Sequence, residues 1–202
     1  ILVAGRAGDD IALVRLLGDS NTSTNSAPTL DALNNLVIDE DSVEQTVGLS
    51  GITSGGGDPQ PLRVTAVSSD TGLIPNPTVT YTSDNASGDI AFAPVADQSG
   101  TATITVTVED GGADDDLGTV NDNATISRTF NVTVNPVEDI PAITSASTIG
   151  VAENVTDSFV LAVHDPDPDQ NHFFLITGGA DKSHFVMDPD TGVWSFVTTP
   201  DF

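Results

Sequence analysis

Thr101-Ala102-Thr103-Ile104-Thr105-Val106-Thr107-Val108 alternates hydroxyl-bearing and apolar side chains along most of its length. In an extended chain successive side chains point to opposite faces, so Ile104, Val106 and Val108 share one face and the threonines the other. Such a segment is a half-buried antiparallel strand with its polar side to water. The stretch 124–134 repeats the pattern through Ile126, Phe130, Val132 and Val134, with room for a shift of register near Arg128. The intervening 110–123 is acidic and glycine-rich, and the whole predicts a long hairpin closing a domain.

Working outward, short β-type runs occur at 36–38, 43–49, 62–67, 78–81 and 90–95, each bounded by turn residues. No segment carries a 3.6-residue apolar period with helix caps. About seven short strands over roughly 110 residues predict an immunoglobulin-like sandwich, placed at 28–136. After 135–141, a second block offers strands at 149–152, 158–163, 173–176, 185–187 and 193–197. That is two strands short of a sandwich, so the domain at 137–202 is expected to be truncated, with an unpaired sheet edge. Residues 1–5 and 11–17 flank a polar turn and predict a hairpin within 1–20; the Ser-, Thr- and Asn-rich 21–27 reads as a linker. The fold class expected is all-β, with tandem Greek-key β-sandwiches.

The chain of 202 residues holds 30 acidic and 5 basic residues, a formal charge of −25. Nucleic acid is excluded as a partner, because binding it takes clustered Lys and Arg. A chain so charged repels itself until salt or bound cations relieve the strain. It has no cysteine, which rules out disulfides and thiolate zinc sites. Stiffness must come from packing or from a metal held on oxygen. No apolar run approaches the ~20 residues that span a bilayer. The first residue is not Met, so the chain is expected to be a piece of a longer protein, with any membrane anchor outside it.

The densest candidate site is His164-Asp165-Pro166-Asp167-Pro168-Asp169-Gln170, directly after a strand. The prolines fix φ and remove backbone donors, so the loop cannot continue the sheet. Its carboxylates repel one another by roughly 0.5–1 kcal/mol per pair even in water. A calcium ion, with six to eight oxygen ligands, removes that cost; a solvated acidic turn is the alternative. The loop is not an EF-hand, since Gln170 and Ile176 stand where Gly and a bidentate Glu are needed. Gly55-Gly56-Gly57-Asp58 occurs once and forms no calcium-binding repeat.

Asp-Thr-Gly at 70–72 and at 190–192 reads as two β-turns rather than a protease dyad. A nucleophile elbow is missing, and His164, His172 and His184 lack zinc-site spacing. Trp194 and Phe196 alternate with smaller residues, as core positions do. No constellation supports an enzyme.

The second block resembles a cadherin repeat. Val151-Ala152-Glu153-Asn154 is similar to the early strand signature with its calcium-binding Glu. Val163-His164-Asp165-Pro166-Asp167 resembles the alternating-Asp calcium motif, and 185–193 the characteristic hairpin. Pro200-Asp201-Phe202 looks like the opening of the Leu-Asp-Arg-Glu motif. Asn135 to Pro141 resembles the acidic interdomain linker in its bacterial form, with Asn135 and Glu138 at positions that are Asp in animals. The first domain resembles bacterial Ig-like and cadherin-like repeats more loosely, and the first 20 residues the end of a delta-sixty repeat.

The resemblance implies Ca2+ at a domain junction built from Asn135, Glu138, Asp139, Asp165 and Asp167, completed by Glu40 or Asp41. It assigns Glu153 and Asp201 to a further junction. It also implies an extracellular or cell-surface module, secreted or outer-membrane-associated, in a large bacterial adhesion protein. The partners implied are neighbouring domains of the same chain and another cell-surface protein or polysaccharide, with homophilic or heterophilic contact left open. A spacer or carbohydrate-binding module beside a separate catalytic domain is the alternative.

Overall fold

The alternating stretch at 101–108 becomes the middle of the longest ladder in the protein. A computed structural model describes residues 2–7, 10–15, 25–57, 59–155, 157–167 and 170–201, the first two stretches by backbone alone. Strands β1 (Leu2–Ala7) and β2 (Asp10–Arg15) pair antiparallel as the expected hairpin. Then follow β3 (Leu36–Asp39), β4 (Gln45–Ser50), β5 (Leu62–Ser68), β6 (Thr78–Thr80), β7 (Ser87–Phe92), β8 (Gly100–Asp110) and β9 (Thr125–Asn135). They form a four-stranded sheet in the order β3-β9-β8-β5 and a three-stranded sheet in the order β4-β7-β6. Two antiparallel-rich sheets with this crossing connectivity are an immunoglobulin-like Greek-key sandwich.

β8 and β9 pair without interruption from Gly100↔Val134 to Glu109↔Thr125. The register does not shift at Arg128. That residue keeps its core-facing parity opposite Val106, near the end of the ladder, and its Nε donates to the Leu30 carbonyl at 3.0 Å. A long side chain can leave the core edge this way while its charge finds an acceptor. Ala102, Ile104, Val106 and Val108 are wholly buried, together with Val132 and Ile90 from the facing strands. Phe92 and Phe130 meet between the two sheets with ring centroids 6.4 Å apart. On the other face hydroxyls pair across the strands, Thr107 with Ser127 at 2.8 Å and Thr103 with Asn131 at 3.0 Å.

The entry to this unit is shared between its sheets. Thr29 and Asp31 donate backbone bonds to Thr53 and Ser50 beside β4, after which β3 crosses over and runs parallel to β9. β7 ends at Phe92, earlier than the 90–95 run suggests, because Pro94 has no N–H and Val95 donates instead to Leu73.

The second unit has β10 (Ala142–Ile143), β11 (Ser158–Val160), β12 (Val163–His164), β13 (Phe185–Met187) and β14 (Val193–Phe196). β10 pairs with β12, and β11-β14-β13 form a three-stranded sheet. Leu161 donates to Gly192 and Thr144 to Ala162, which makes β11 and β12 the halves of one interrupted strand. The described residues therefore build two small sheets joined along this strand. Residues 149–152 and 173–176, apolar enough for strands, lie in irregular conformation, since neither lies in a ladder. β10 carries too short an apolar signal to be read from sequence.

No apolar side chain in the described part of 137–201 reaches full burial, and Ile143, Phe173, Leu175 and Val186 are more than half exposed. A sheet becomes a core only against a second layer. The difference between the units has a measurable consequence. Ile104→Ala should cost about 2–5 kcal/mol in urea unfolding, as a buried large-to-small change does. Thr105→Ala, one residue away on the outer face, should cost about 1 kcal/mol or less.

Candidate metal centre at the junction of the two units

Parallel pairing of the first and last strands of the sandwich creates this site. The register Asp39↔Asn135 brings both strands out at one pole, and Glu40 N continues the ladder to the Asn135 carbonyl at 2.9 Å. The residues following β3 therefore lie beside the segment that leaves for the second unit. Ser42 closes a turn by donating its N–H and hydroxyl to the Asp39 carbonyl. Asp41 sits in that turn at φ +60°, a left-handed conformation that Asp tolerates better than most residues.

From here the side chains join the two units. Glu40 is 6% exposed, and its Oε1 accepts from Val137 N at 2.6 Å. Asp139 N donates to Asp167 Oδ2 at 2.6 Å, and Asp167 N to Asp165 Oδ1 at 3.0 Å. Asp97, in the loop between β7 and β8 and also left-handed at φ +56°, donates its N–H to Asp41 Oδ1 at 3.3 Å. Two sets of carboxylate oxygens result, each within 4.8 Å of one another: Glu40, Asp139 and Asp167, and Asp41, Asp97 and Asp139. Asp139 belongs to both. Its Oδ2 is buried without a hydrogen-bond partner.

Among the described residues no Lys or Arg is paired with this cluster; Arg63 bonds Glu109, and Arg128 bonds Leu30. Desolvation holds the Asp139 carboxyl above its ordinary range, reinforced by the negative charges of Asp41, Asp97, Asp167 and Glu40. Backbone N–H groups are the donors these carboxylates have; among the described residues no cationic side chain joins them. An all-oxygen set of carboxylates with a bare buried oxygen fits a hard divalent cation and gives a soft metal none of its preferred ligands.

The other residues singled out from sequence lie as follows. Asn135 Nδ2 donates to Asp39 Oδ1 at 3.2 Å, and Glu138 accepts from Gln170 Nε2. Asp165 Oδ2 meets His172 Nε2 at 2.8 Å, and the Asp165 side chain is only 6% exposed. Asp165 thus props the loop under Asp167 and stands outside both oxygen sets. Glu153 and Asp201 are exposed, on segments joined by Asn154 N to the Pro200 carbonyl at 2.9 Å. Asp97 was not legible: nothing local separates it from the 30 acidic residues in the sequence.

Several other sequence motifs resolve into architecture. Asp70 Oδ1 accepts from Gly72 N and Leu73 N, and Asp188 Oδ1 from Asp190 N and Thr191 N, so both Asp-Thr-Gly stretches are turns held by an Asp. Trp194 stacks on Phe159 with centroids 4.7 Å apart and packs edge-on against Phe185 and Phe196.

No family model and no curated protein matches the chain. Solved structures do. Domains 4 and 5 of the S-layer protein SbsC are 15% identical over 66% of this chain and 56% of that one, with a TM-score of 0.36. Mouse cadherin-23 EC22-24 is 14% identical over 87% and 55%, at 0.46. The protocadherin gammaB7 EC3-6 cis-dimer structure is 20% identical over 86% and 42%, at 0.43. The chain spans roughly half the length of each.

The raised Asp139 value sets the pH dependence of the cation-free protein. The folded state keeps this proton to higher pH than the unfolded chain does, so the penalty is complete only above the folded value. It is lifted as the pH falls through the folded value toward the ordinary Asp value of about 3.9. In chelator, Asp139→Asn should melt above wild type at pH 7, and the gap should close on acidification. Calorimetry across that range checks it.

Proposed function

We propose that the chain is an extracellular structural or adhesive segment in which calcium fixes the orientation of the second unit on the first. One observation carries this reading. Carboxylates from β-sandwich loops (Glu40, Asp41, Asp97), from the connecting segment (Asp139) and from the second unit (Asp167) form two sets of three that share Asp139, one oxygen of which is buried and bare. These five would hold the ion, and the charge it supplies offsets their mutual repulsion. Asn135, Glu138 and Asp165 position the segment through their own hydrogen bonds.

A junction closed by a cation behaves differently from one closed by apolar packing. Val137 and Ile140 in the connecting segment are exposed, Ile140 at 90%, so little hydrophobic contact holds the orientation. Without calcium the carboxylates push the units apart; with it, five groups on three segments share one counter-charge. A chain of such units is a stiffened rod where calcium is plentiful, as it is outside cells. The sequence resemblance to bacterial cadherin-like arrays agrees with a place in a surface adhesin or matrix protein.

Calcium titration of the full chain tests this. At a free concentration one hundred times Kd, a site specific to the folded state adds about 2.7 kcal/mol. The melting temperature should rise accordingly, and the solution scattering profile should narrow toward a single extended shape. Asp139→Asn combined with Asp167→Asn should abolish both responses. The effect of Asp139→Asn also changes sign, stabilising in chelator and destabilising in calcium. Indifference of wild type to millimolar calcium would sink the reading.

A further inference from the structure

The outer faces of the first sandwich carry unequal charge. On the sheet β3-β9-β8-β5, β8 turns Thr101, Thr103, Thr105 and Thr107 away from the core. Opposite them β9 sets Thr133, Asn131, Thr129 and Ser127. The edge strand β5 adds Thr65 beside Thr107 and Val67 beside Thr105, and β3 adds Val37 beside Thr133. None of these side chains is ionisable, in a chain with 30 acidic residues. The row beyond Thr107 holds Arg63 and Glu109, which cancel one another through an Nε to Oε2 hydrogen bond of 3.1 Å. Elsewhere on the unit the acids return. Asp89 lies mid-face on the sheet β4-β7-β6, between Gly48 and Thr80. Asp41 and Asp97 crowd one pole, and Asp114, Asp115 and Asp116 the other.

Such a face loses little on leaving water. Its hydroxyls already bond across the strands, Thr107 with Ser127 at 2.8 Å, Thr103 with Asn131 at 3.0 Å and Thr101 with Thr133 at 3.4 Å. A polar group that keeps its partner avoids most of the cost of desolvation. Each Thr also presents a methyl, and Val67 and Val37 are 51% and 64% exposed, so there is apolar area to bury. The face is moreover its own complement. A hydroxyl both donates and accepts, whereas a carboxylate only accepts, so two copies of this face can satisfy each other where two acidic faces cannot. These rows hold no aromatic ring for a sugar to stack on and no unpaired charge for an ionic partner.

We infer that this face is a lateral docking surface for a second copy of the chain, met face to face about a two-fold axis. Such an interface is isologous, with the same patch on both copies. Thr105 and Thr129 form the middle row of the middle strands, so they lie nearest the axis and close to their own counterparts. Five rows about 6.6 Å apart, on strands about 4.8 Å apart, cover roughly 500 Å2 per copy; pairing then buries about 1000 Å2, the lower limit for a specific contact. The pairing is therefore weak between single chains and gains strength where several units are tethered side by side. It concerns how chains lie beside one another and does not depend on the cluster at Asp139.

Sedimentation of the full chain in chelator, up to about 1 mM protein, tests it separately from the calcium reading. A dimer should form. Because each copy carries −25, its dissociation constant should fall as sodium chloride rises to about 0.5 M and screens the repulsion. Thr105→Asp and Thr105→Lys, each checked for wild-type circular dichroism, should weaken it at least about tenfold by setting like charges together at the axis. An equimolar mixture of the two variants should pair again, which a change in net charge or strand propensity would not produce. Thr46→Asp, on the outer face of the other sheet, should leave the dimer intact. A chain that stays monomeric in high salt, a dimer untouched by Thr105→Asp, or a mixture that fails to pair would each overturn the inference. So would capture of this face by an immobilised neutral polysaccharide in place of self-association.

Discussion

The uninterrupted pairing of β8 with β9 is the constraint from which the rest follows. Because side chains alternate strictly along a strand, one register places Ile104, Val106, Phe130, Val132 and Val134 on a single face, and a slip of one residue would turn all of them to water. The apolar face then calls for a second layer, supplied by β4, β7 and β6. The hairpin also delivers both polar sites. At one end its loop buries Asp110; at the other, β9 leaves beside β3 with Asn135 opposite Asp39.

The two ends of the sandwich handle negative charge in different ways. Around Asp110, amides are interposed among the acids, so only one carboxylate oxygen is left bare. Around Asp139, carboxylates face carboxylates, and desolvation and mutual repulsion both raise the pKa of the central group. The first arrangement is a packed interior in which one carboxylate is buried among amides. The second is a cluster of like charges with no Lys or Arg paired to it among the described residues. Acidic composition alone, at −25, would produce neither. The difference lies in the partners: Arg63 and amide side chains serve the Asp110 end, while the Asp139 end has backbone N–H donors and further carboxylates.

The second unit keeps its apolar side chains closer to solvent than the first does. It possesses the hairpin β13–β14 and an aromatic cluster of Phe159, Phe185, Trp194 and Phe196, yet no fully buried apolar side chain among its described residues. The connecting segment meets the first unit through a polar contact, Val137 N donating to Glu40 Oε1.

In the first unit the sequence by itself determined the period-two strands, their boundaries to within a few residues, and the sandwich they form, because alternation and turn residues are local properties. It also marked Glu40, Asp41, Asp139 and Asp167 as oxygen donors worth bringing together. It could not reveal Asp97, which is 42 residues from Asp139 and joins the cluster only because Asp41 Oδ1 receives its N–H. Nor could it separate Asp165, whose carboxylate turns to His172, from Asp167 in the same motif. Asp110 looked like one more acid in an acidic loop until burial and three hydrogen bonds to one oxygen set it apart. Those distinctions belong to the tertiary structure, since they depend on which atoms meet across the chain and which are left facing no donor.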